Sequence, residues 1–207
     1  MSAASVLTCT NLSIGYRNQK TVTREISKDL NLHLDRGELI CLVGPNGSGK
    51  STLIRTLVGI QPPICGEILL GDTNIRDLSS EERAKTFSVV LTTPVQAGYL
   101  TAFDIVALGR FPYTNWAGRL TESDESIVLS ALASVGARTL AHRFMHEMSD
   151  GERQKVMIAR ALAQDPELMV LDEPTAFLDL PHKIETMRIL RGLPKKPEKL
   201  SSSQPMT

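Results

Sequence analysis

The sequence predicts an α/β fold with a parallel core sheet, an N-terminal antiparallel β edge and an inserted helical lobe, and three observations carry that prediction. First, the apolar run Leu39-Ile40-Cys41-Leu42-Val43 leads into Gly44-Pro45-Asn46-Gly47-Ser48-Gly49-Lys50-Ser51, and a helical stretch, Thr52 to Val58, follows. Strand, glycine-rich loop and helix in that order is the setting of a phosphate-binding loop. Second, Leu168-Met169-Val170-Leu171 is a continuous apolar run that ends in Asp172-Glu173. Such a run fits a buried parallel strand, and ligands bind at the C-terminal ends of such strands. Third, between these halves, over roughly residues 101–145, the pattern turns helical.

The 207 residues suit one domain, or one domain with an inserted lobe. Lys plus Arg and Asp plus Glu both number 23, so net charge gives no argument for a nucleic-acid or membrane-surface partner. A hydrophobic fraction of 42% is enough for a real core. No run of about 18 or more apolar residues exists, so no membrane span is expected. Met1 to Thr10 has neither a basic flank nor a long apolar stretch, so no signal peptide is expected. Cys9, Cys41 and Cys65 are odd in number and scattered. The first two lie in strand-like runs and read as buried thiols rather than a disulfide or metal site. All of this fits a cytoplasmic protein.

In chain order, Val6, Thr8, Thr10, Leu12 and Ile14 alternate with their neighbours and predict a half-buried strand with those five on one face. Residues 15–20 read as a turn. Leu30, Leu32 and Leu34 mark a second strand, and Asp35-Arg36-Gly37 turns into the third. Short turns make these strands antiparallel. Residues 66–70 and 87–91 are further strands, and Ser79 or Ser80 caps a short helix between them. Thr101 caps a helix with Asp104 three residues on and Ile105, Val106 and Leu108 inward; residues 109–113 break it. Thr121 starts another, with Asp124 at the same offset. Ser149 caps a helix to about Ala163, ended by Asp165-Pro166, and Pro181 opens a last helix to about Leu190.

The chemistry follows from residue types. The loop glycines let successive N–H groups point into one concavity, and the helix beginning near Gly49 adds unpaired donors and a positive dipole end. Lys50 supplies a point charge for β- and γ-phosphates, and the Ser51 hydroxyl can ligate Mg²⁺. Asp172 is suited to hold Mg²⁺, directly or through water, and Glu173 to polarise an attacking water.

Met148-Ser149-Asp150-Gly151-Glu152-Arg153-Gln154 closely resembles the signature sequence of the ATP-binding-cassette (ABC) ATPases, which are P-loop NTPases. The family's order of motifs is met: an aromatic at Tyr16, the loop at 44–51, a helical lobe, the signature at 148–152, paired acids at 172–173 and a further loop at 176–179. The resemblance covers the chain to about Leu190. It implies ATP and Mg²⁺, with Gly44, Pro45, Asn46, Gly47, Ser48, Gly49, Lys50, Ser51 and Thr52 around the phosphates and Tyr16 on the adenine. It further implies that Ser149 and the Gly151 N–H meet the γ-phosphate held by a second copy, with Asp179 at that same interface, so that two cassettes sandwich two ATPs. Val106 to Tyr113 and Ser149 to Lys155 are similar to the importers of iron-siderophore, haem or vitamin B12. Such a subunit sits on the cytoplasmic face of the bacterial inner membrane. Its partners are a second copy, membrane permease subunits and, indirectly, a periplasmic or surface substrate-binding protein; no nucleic acid is implied. The other readings are a cassette that binds ATP without turnover and a non-transport ABC protein.

Two departures from the family pattern stand out. Where the family has a Mg²⁺-ligating Gln after the 87–91 strand, this chain has Thr92, whose hydroxyl reaches Mg²⁺ only through water; Gln96 is the alternative. The family's switch histidine, expected one strand after the 181–190 helix, does not follow, and His182 precedes that helix and reads as its surface. The tail, 191–207, breaks from the family. Joining the third base of each codon to the next two permits Thr-His-Asp at its end, with Asp forced by Met206-Thr207. The expectation is a frame shift beginning between Arg191 and Lys196.

Overall fold

The computed structural model describes residues 5–18, 21–35, 42, 44–45, 47–90, 98–172 and 179–192. The expectations for the strand at 39–43 lie outside these residues except at Leu42, which belongs to no strand. Those for Asn46, Thr92, Gln96, Glu173, residues 176–178 and the tail from 193 lie wholly outside them.

Four strands form an antiparallel sheet in the order β2-β1-β3-β4: β1 (Ser5–Asn18), β2 (Thr21–Asp35), β3 (Cys65–Leu70) and β4 (Thr73–Asn74). The antiparallel edge therefore extends beyond the residues before Gly37, because β3 pairs with β1, Leu7 opposite Leu70 and Cys9 opposite Ile68. Leu7, Leu12, Ile14 and Ile68 of this sheet pack with Leu53, Val58 and Phe87 in one core.

β1 does not keep the single phase read from its alternation. Leu7 and Cys9 are buried while Thr8 is half-buried and Thr10 exposed; beyond Asn11, Leu12 and Ile14 are buried. The pairing shifts between Cys9 and Leu12, and Asn11 sits there in the left-handed region at φ 47°. A bulge adds one residue and moves the side-chain pattern to the other face, and Asn tolerates that conformation better than most residues. Gly66 faces the bulge so closely that a Cβ there would lie 2.4 Å from the Asn11 carbonyl oxygen. Nor are residues 15–18 a turn. They continue β1, Gly15 opposite Glu25 and Tyr16 opposite Arg24, because the β-branched run Thr21-Val22-Thr23 offers a strand to pair with. Cys9 is buried, which pushes its thiol up to about 11, whereas Cys65 is exposed; Cys41 is not among the described residues.

The parallel pair is β5 (Phe87–Val90) with β6 (Leu168–Leu171), Val90 opposite Leu171. All four β6 residues are half-buried rather than buried. Helix α1 (Lys50–Leu57) follows the glycine loop, and α2 (Ser80–Thr86) precedes β5.

The helical lobe contains α3 (Ala102–Ala107) and α4 (Glu122–Ser134), both packed on α5 (Asp150–Ala163). Thr101, Thr121 and Ser149 each close a full capping box, as does Ser79 at α2. Each such cap is worth about 1 kcal/mol. Ile105, Val106, Val128, Leu132, Val156 and Ile158 make the second core. Leu108, read as inward, is half exposed, because the chain tightens there into a 3₁₀ turn (Leu108–Tyr113) whose different pitch swings it out. Arg110 in that turn is buried. Its Nε donates to Asp124 Oδ1 at 2.9 Å and its Nη1 to the Ala163 carbonyl at 2.9 Å. Tyr113 donates to the Gln164 carbonyl and lies under the Arg110 guanidinium, 4.1 Å from the ring centroid. Gln164 in turn donates to the carbonyls of Ala84 and Phe87, so one residue beyond α5 ties the lobe to the β5 side. The last helix is α6 (Leu180–Gly192).

Candidate functional site

The loop after residue 43 is shaped by its glycines. Gly47 (φ 80°) and Gly49 (φ 96°) both lie in the left-handed region, where a side chain costs strain. Gly49 is also crowded: a Cβ there would lie 2.3 Å from Ile26 Cγ2 of β2. The Ser48 N–H donates to the Pro45 carbonyl at 3.2 Å, and Gly49 caps α1, its carbonyl taking the Leu53 N–H at 2.8 Å. Glycine takes both left-handed conformations without strain, and at 49 without a clash, so the loop runs directly into the helix.

Lys50 opens α1, and its Nζ donates to the Gly44 carbonyl at 2.8 Å and the Pro45 carbonyl at 3.0 Å. The ammonium therefore lies across the mouth of the loop, where a phosphate would be cradled. Ser51 is half-buried in the first turn. Thr52 is buried, and its Oγ1 shares a 3.1 Å hydrogen bond with the Tyr16 hydroxyl. Tyr16, 45% exposed on β1, is thus moored to the loop helix with much of its ring in solvent.

Asp172 follows β6 directly and is 6% exposed; its N–H donates to the Val90 carbonyl at 2.8 Å, extending the β5–β6 ladder by one residue. Among the described residues no three His, Cys, Asp or Glu side chains group together as a metal cluster. Ser51 and Asp172 are nonetheless both hard oxygen donors, the set Mg²⁺ takes when one or two protein groups join phosphate oxygens. The donor types present fit that ion.

The predicted signature residues occupy the start of α5. Ser149 Oγ accepts the Glu152 N–H at 3.3 Å, and Glu152 Oε2 accepts the Ser149 N–H at 2.8 Å and its hydroxyl at 3.1 Å. These bonds from Ser149 hold the Glu152 carboxyl below its usual range, with Arg143, 3.1 Å away, adding to the effect. Gly151 is buried, and the reason is His182: a Cβ on Gly151 would lie 2.4 Å from the imidazole Cδ2. His182 keeps the helix-surface position read for it, its side chain 42% exposed, and its ring also lies against Gly151 of α5. Asp179 caps α6, its carbonyl taking the Lys183 N–H at 3.0 Å and its Oδ1 the His182 N–H at 3.1 Å. The same Oδ1 pairs with His182 Nδ1, which keeps the Asp179 carboxyl below its ordinary value.

The structure thus joins Tyr16 to Thr52, Lys50 to Gly44 and Pro45, and Asp179 to Gly151 by way of His182. Sequence reading placed His182 on the helix surface without its contacts to Asp179 and Gly151, although Asp179 and His182 stand at the N-cap-to-third-residue spacing that such contacts use. Arg110 and Gln164 were also missed; a buried ion pair between a turn and a helix leaves no periodic trace.

Comparison with known proteins is consistent with this geometry. The ABC transporter family matches residues 27–176. An ABC transporter ATP-binding protein of Methanocaldococcus jannaschii is 49% identical over 183 residues, covering 88% of this chain and 61% of its own length. The iron(3+)-hydroxamate import ATP-binding protein of Bacillus subtilis is 38% identical over 190 residues, covering 92% and 69%. Among solved structures, a metal-chelate type ABC transporter in an inward-facing conformation superposes with a TM-score of 0.74 at 30% identity, covering 90% of this chain and 67% of that one. A dimeric ATP-binding cassette bound to ADP and Pi in a post-hydrolysis state gives 0.73 at 26% identity, covering 89% and 81%. The chain spans 61% and 69% of the length of these two curated relatives. Among the described residues no helix is long and apolar enough to cross a membrane.

Proposed function

This chain belongs to the ABC transporter family, and from that premise we propose that it is the ATP-binding and ATP-hydrolysing cassette of an importer for iron-siderophore complexes, haem or cobalamin. The observation that carries the nucleotide reading is the loop itself: two left-handed glycines running into α1, with the Lys50 ammonium across the mouth. The cargo reading is supported by relatives named for the import of iron(3+)-hydroxamate and petrobactin.

The residues divide the work. Backbone N–H groups of residues 44–52 and the dipole of α1 hold the β- and γ-phosphates, and Lys50 exchanges its carbonyl partners for them. Tyr16 lies against the base. Ser51 and Asp172 would hold Mg²⁺, with the Thr92 hydroxyl contributing through water, and the ion would supply charge neutralisation at the phosphate oxygens. Glu173, on the chain directly after buried Asp172, polarises the attacking water. Ser149 and the Gly151 N–H, at the N-terminus of α5, face the γ-phosphate held by a second copy, with Asp179 at the same interface. Two copies then close head-to-tail around two nucleotides. Membrane permease subunits bind this dimer at the cytoplasmic face of the inner membrane, and a substrate-binding protein delivers cargo from the other side.

Lys50→Ala tests the central step. Titration with a fluorescent ATP analogue is expected to show binding weakened by at least about tenfold, in keeping with the loss of a charged hydrogen bond. Unchanged affinity removes the reading. Single-turnover hydrolysis by the purified chain then separates a working ATPase from a cassette that only binds.

A further inference from the structure

We propose that His182 is a positioning residue that locks the N-terminus of α5 to the Asp179 cap of α6, and that Gly151 is a glycine because the imidazole occupies the place of its side chain. The inference deepens the proposed sandwich, since the groups it positions are those read as facing the second copy's nucleotide.

Three contacts make the lock. The imidazole covers the Gly151 Cα, with Cδ2 2.4 Å and both Cγ and Nε2 3.0 Å from where a Cβ would stand. Its Nδ1 pairs with Asp179 Oδ1, which also takes the His182 backbone N–H. One turn further along both helices, Lys155 Nζ meets Glu185 Oε1 at 2.7 Å, with Lys155 mostly covered. Among the described residues the imidazole thus joins the two helices at their N-terminal ends, and the Lys155–Glu185 pair joins them one turn on. A carboxylate oxygen can only accept, so His182 Nδ1 is the donor in this pair, and the bond holds the plane of the ring on Gly151.

Ser149 is committed to Glu152, so α5's own cap holds only its first turn internally. The ring beneath Gly151 sets that turn against α6, while Arg143 to Glu152 and Arg153 to the Met145 carbonyl hold it to the chain before it. A nucleotide bridging two copies needs the Gly151 N–H and Asp179 in fixed relation before it arrives, because ordering them on binding costs affinity. His182 supplies that relation by touching both, its ring against Gly151 and its Nδ1 on Asp179.

The test uses His182→Ala, His182→Asn and Gly151→Ala in the full chain. Hydrogen exchange reads the lock without any dimer. Exchange of the first-turn amides of α5 is expected to rise by about threefold to tenfold in His182→Ala, the effect of one lost hydrogen bond, and to return towards the parent in His182→Asn, whose amide stands in for Nδ1–H. Gly151→Ala displaces the ring and is expected to match His182→Ala. The same substitutions in a Glu173→Gln background are then followed by light scattering with MgATP. His182→Ala is expected to raise the concentration needed for dimer formation severalfold, with the affinity of the single chain for the ATP analogue unchanged. Unchanged exchange in His182→Ala, or failure of Asn to restore it, overturns the lock whatever the dimer does. A Glu173→Gln parent that stays monomeric removes the sandwich reading, and with it the role given to the lock, while the exchange result still stands on its own.

Discussion

In the helical lobe, Thr101, Thr121 and Ser149 each satisfy their own helix start, and the apolar face follows at helical spacing from there. In the β edge, nothing local says which residues of β1 face inward. Leu7 and Cys9 are inside, Leu12 and Ile14 are inside, and the change of phase between them comes from a bulge at Asn11 that only β2 and β3 define. One region is specified by signals within about four residues, the other by partners tens of residues away. The difference also appears in how each is held. The lobe keeps one buried charged pair at its heart, whereas the edge relies on apolar packing and backbone pairing.

Removing the pair should give the largest effect. Asp124→Ala strands the Arg110 guanidinium, both side chains being under 10% exposed, and is expected to cost about 3–5 kcal/mol in urea unfolding. A cost under about 1 kcal/mol, the size of an exposed pair, would show that the lobe has no such heart. The same carboxyl gives the lobe an acid limit. Hydrogen bonds from Thr121, with Arg110 adding, hold it below its ordinary value. A depressed folded value means its contribution is complete above the unfolded value of about 3.9 and is lost as pH falls through the folded one. Near-ultraviolet circular dichroism and urea midpoints are expected to show stability falling from about pH 4 downward, and less steeply in Asp124→Asn.

The edge should be more sensitive to backbone than to charge. Asn11→Val puts a β-branched residue at φ 47° and is expected to cost about 1–2 kcal/mol, while Asn11→Gly costs almost nothing. Equal stability of the two would mean that the bulge is not what sets the phase of β1. The smallest effect belongs to a single cap: Thr101→Ala, away from the nucleotide-facing residues, should lose about 1 kcal/mol by the same denaturation. A loss as large as that of Asp124→Ala would make local signals, rather than the pair, the dominant restraint in the lobe.

The same contrast decides what could be read in advance. Caps at Thr101, Thr121 and Ser149 and the turn at Asp165 are local chemistry, and each stands where residue types alone put it. The glycine loop was legible for the same reason. Leu108 was misplaced because the shift to a 3₁₀ turn is imposed by Arg110 reaching Asp124 and Ala163, contacts 14 and 53 residues apart in the chain. The contact of His182 with α5 left no trace because the imidazole's partner is the missing side chain of Gly151, and a gap has no pattern of its own.

Lys50 offers a last consequence. An ammonium already bonded to two carbonyls of its own loop is a guest occupying the seat it was expected to offer. The loop is thereby braced in its curved form before any phosphate comes, so little ordering remains to be done on arrival. In exchange, an incoming phosphate trades bonds with the amine instead of adding them, and the heat released at that contact is the difference between two sets of partners. Calorimetry on this loop should therefore register an ammonium–phosphate contact as a modest enthalpy, with the loop's prior bracing showing up as a small entropic cost.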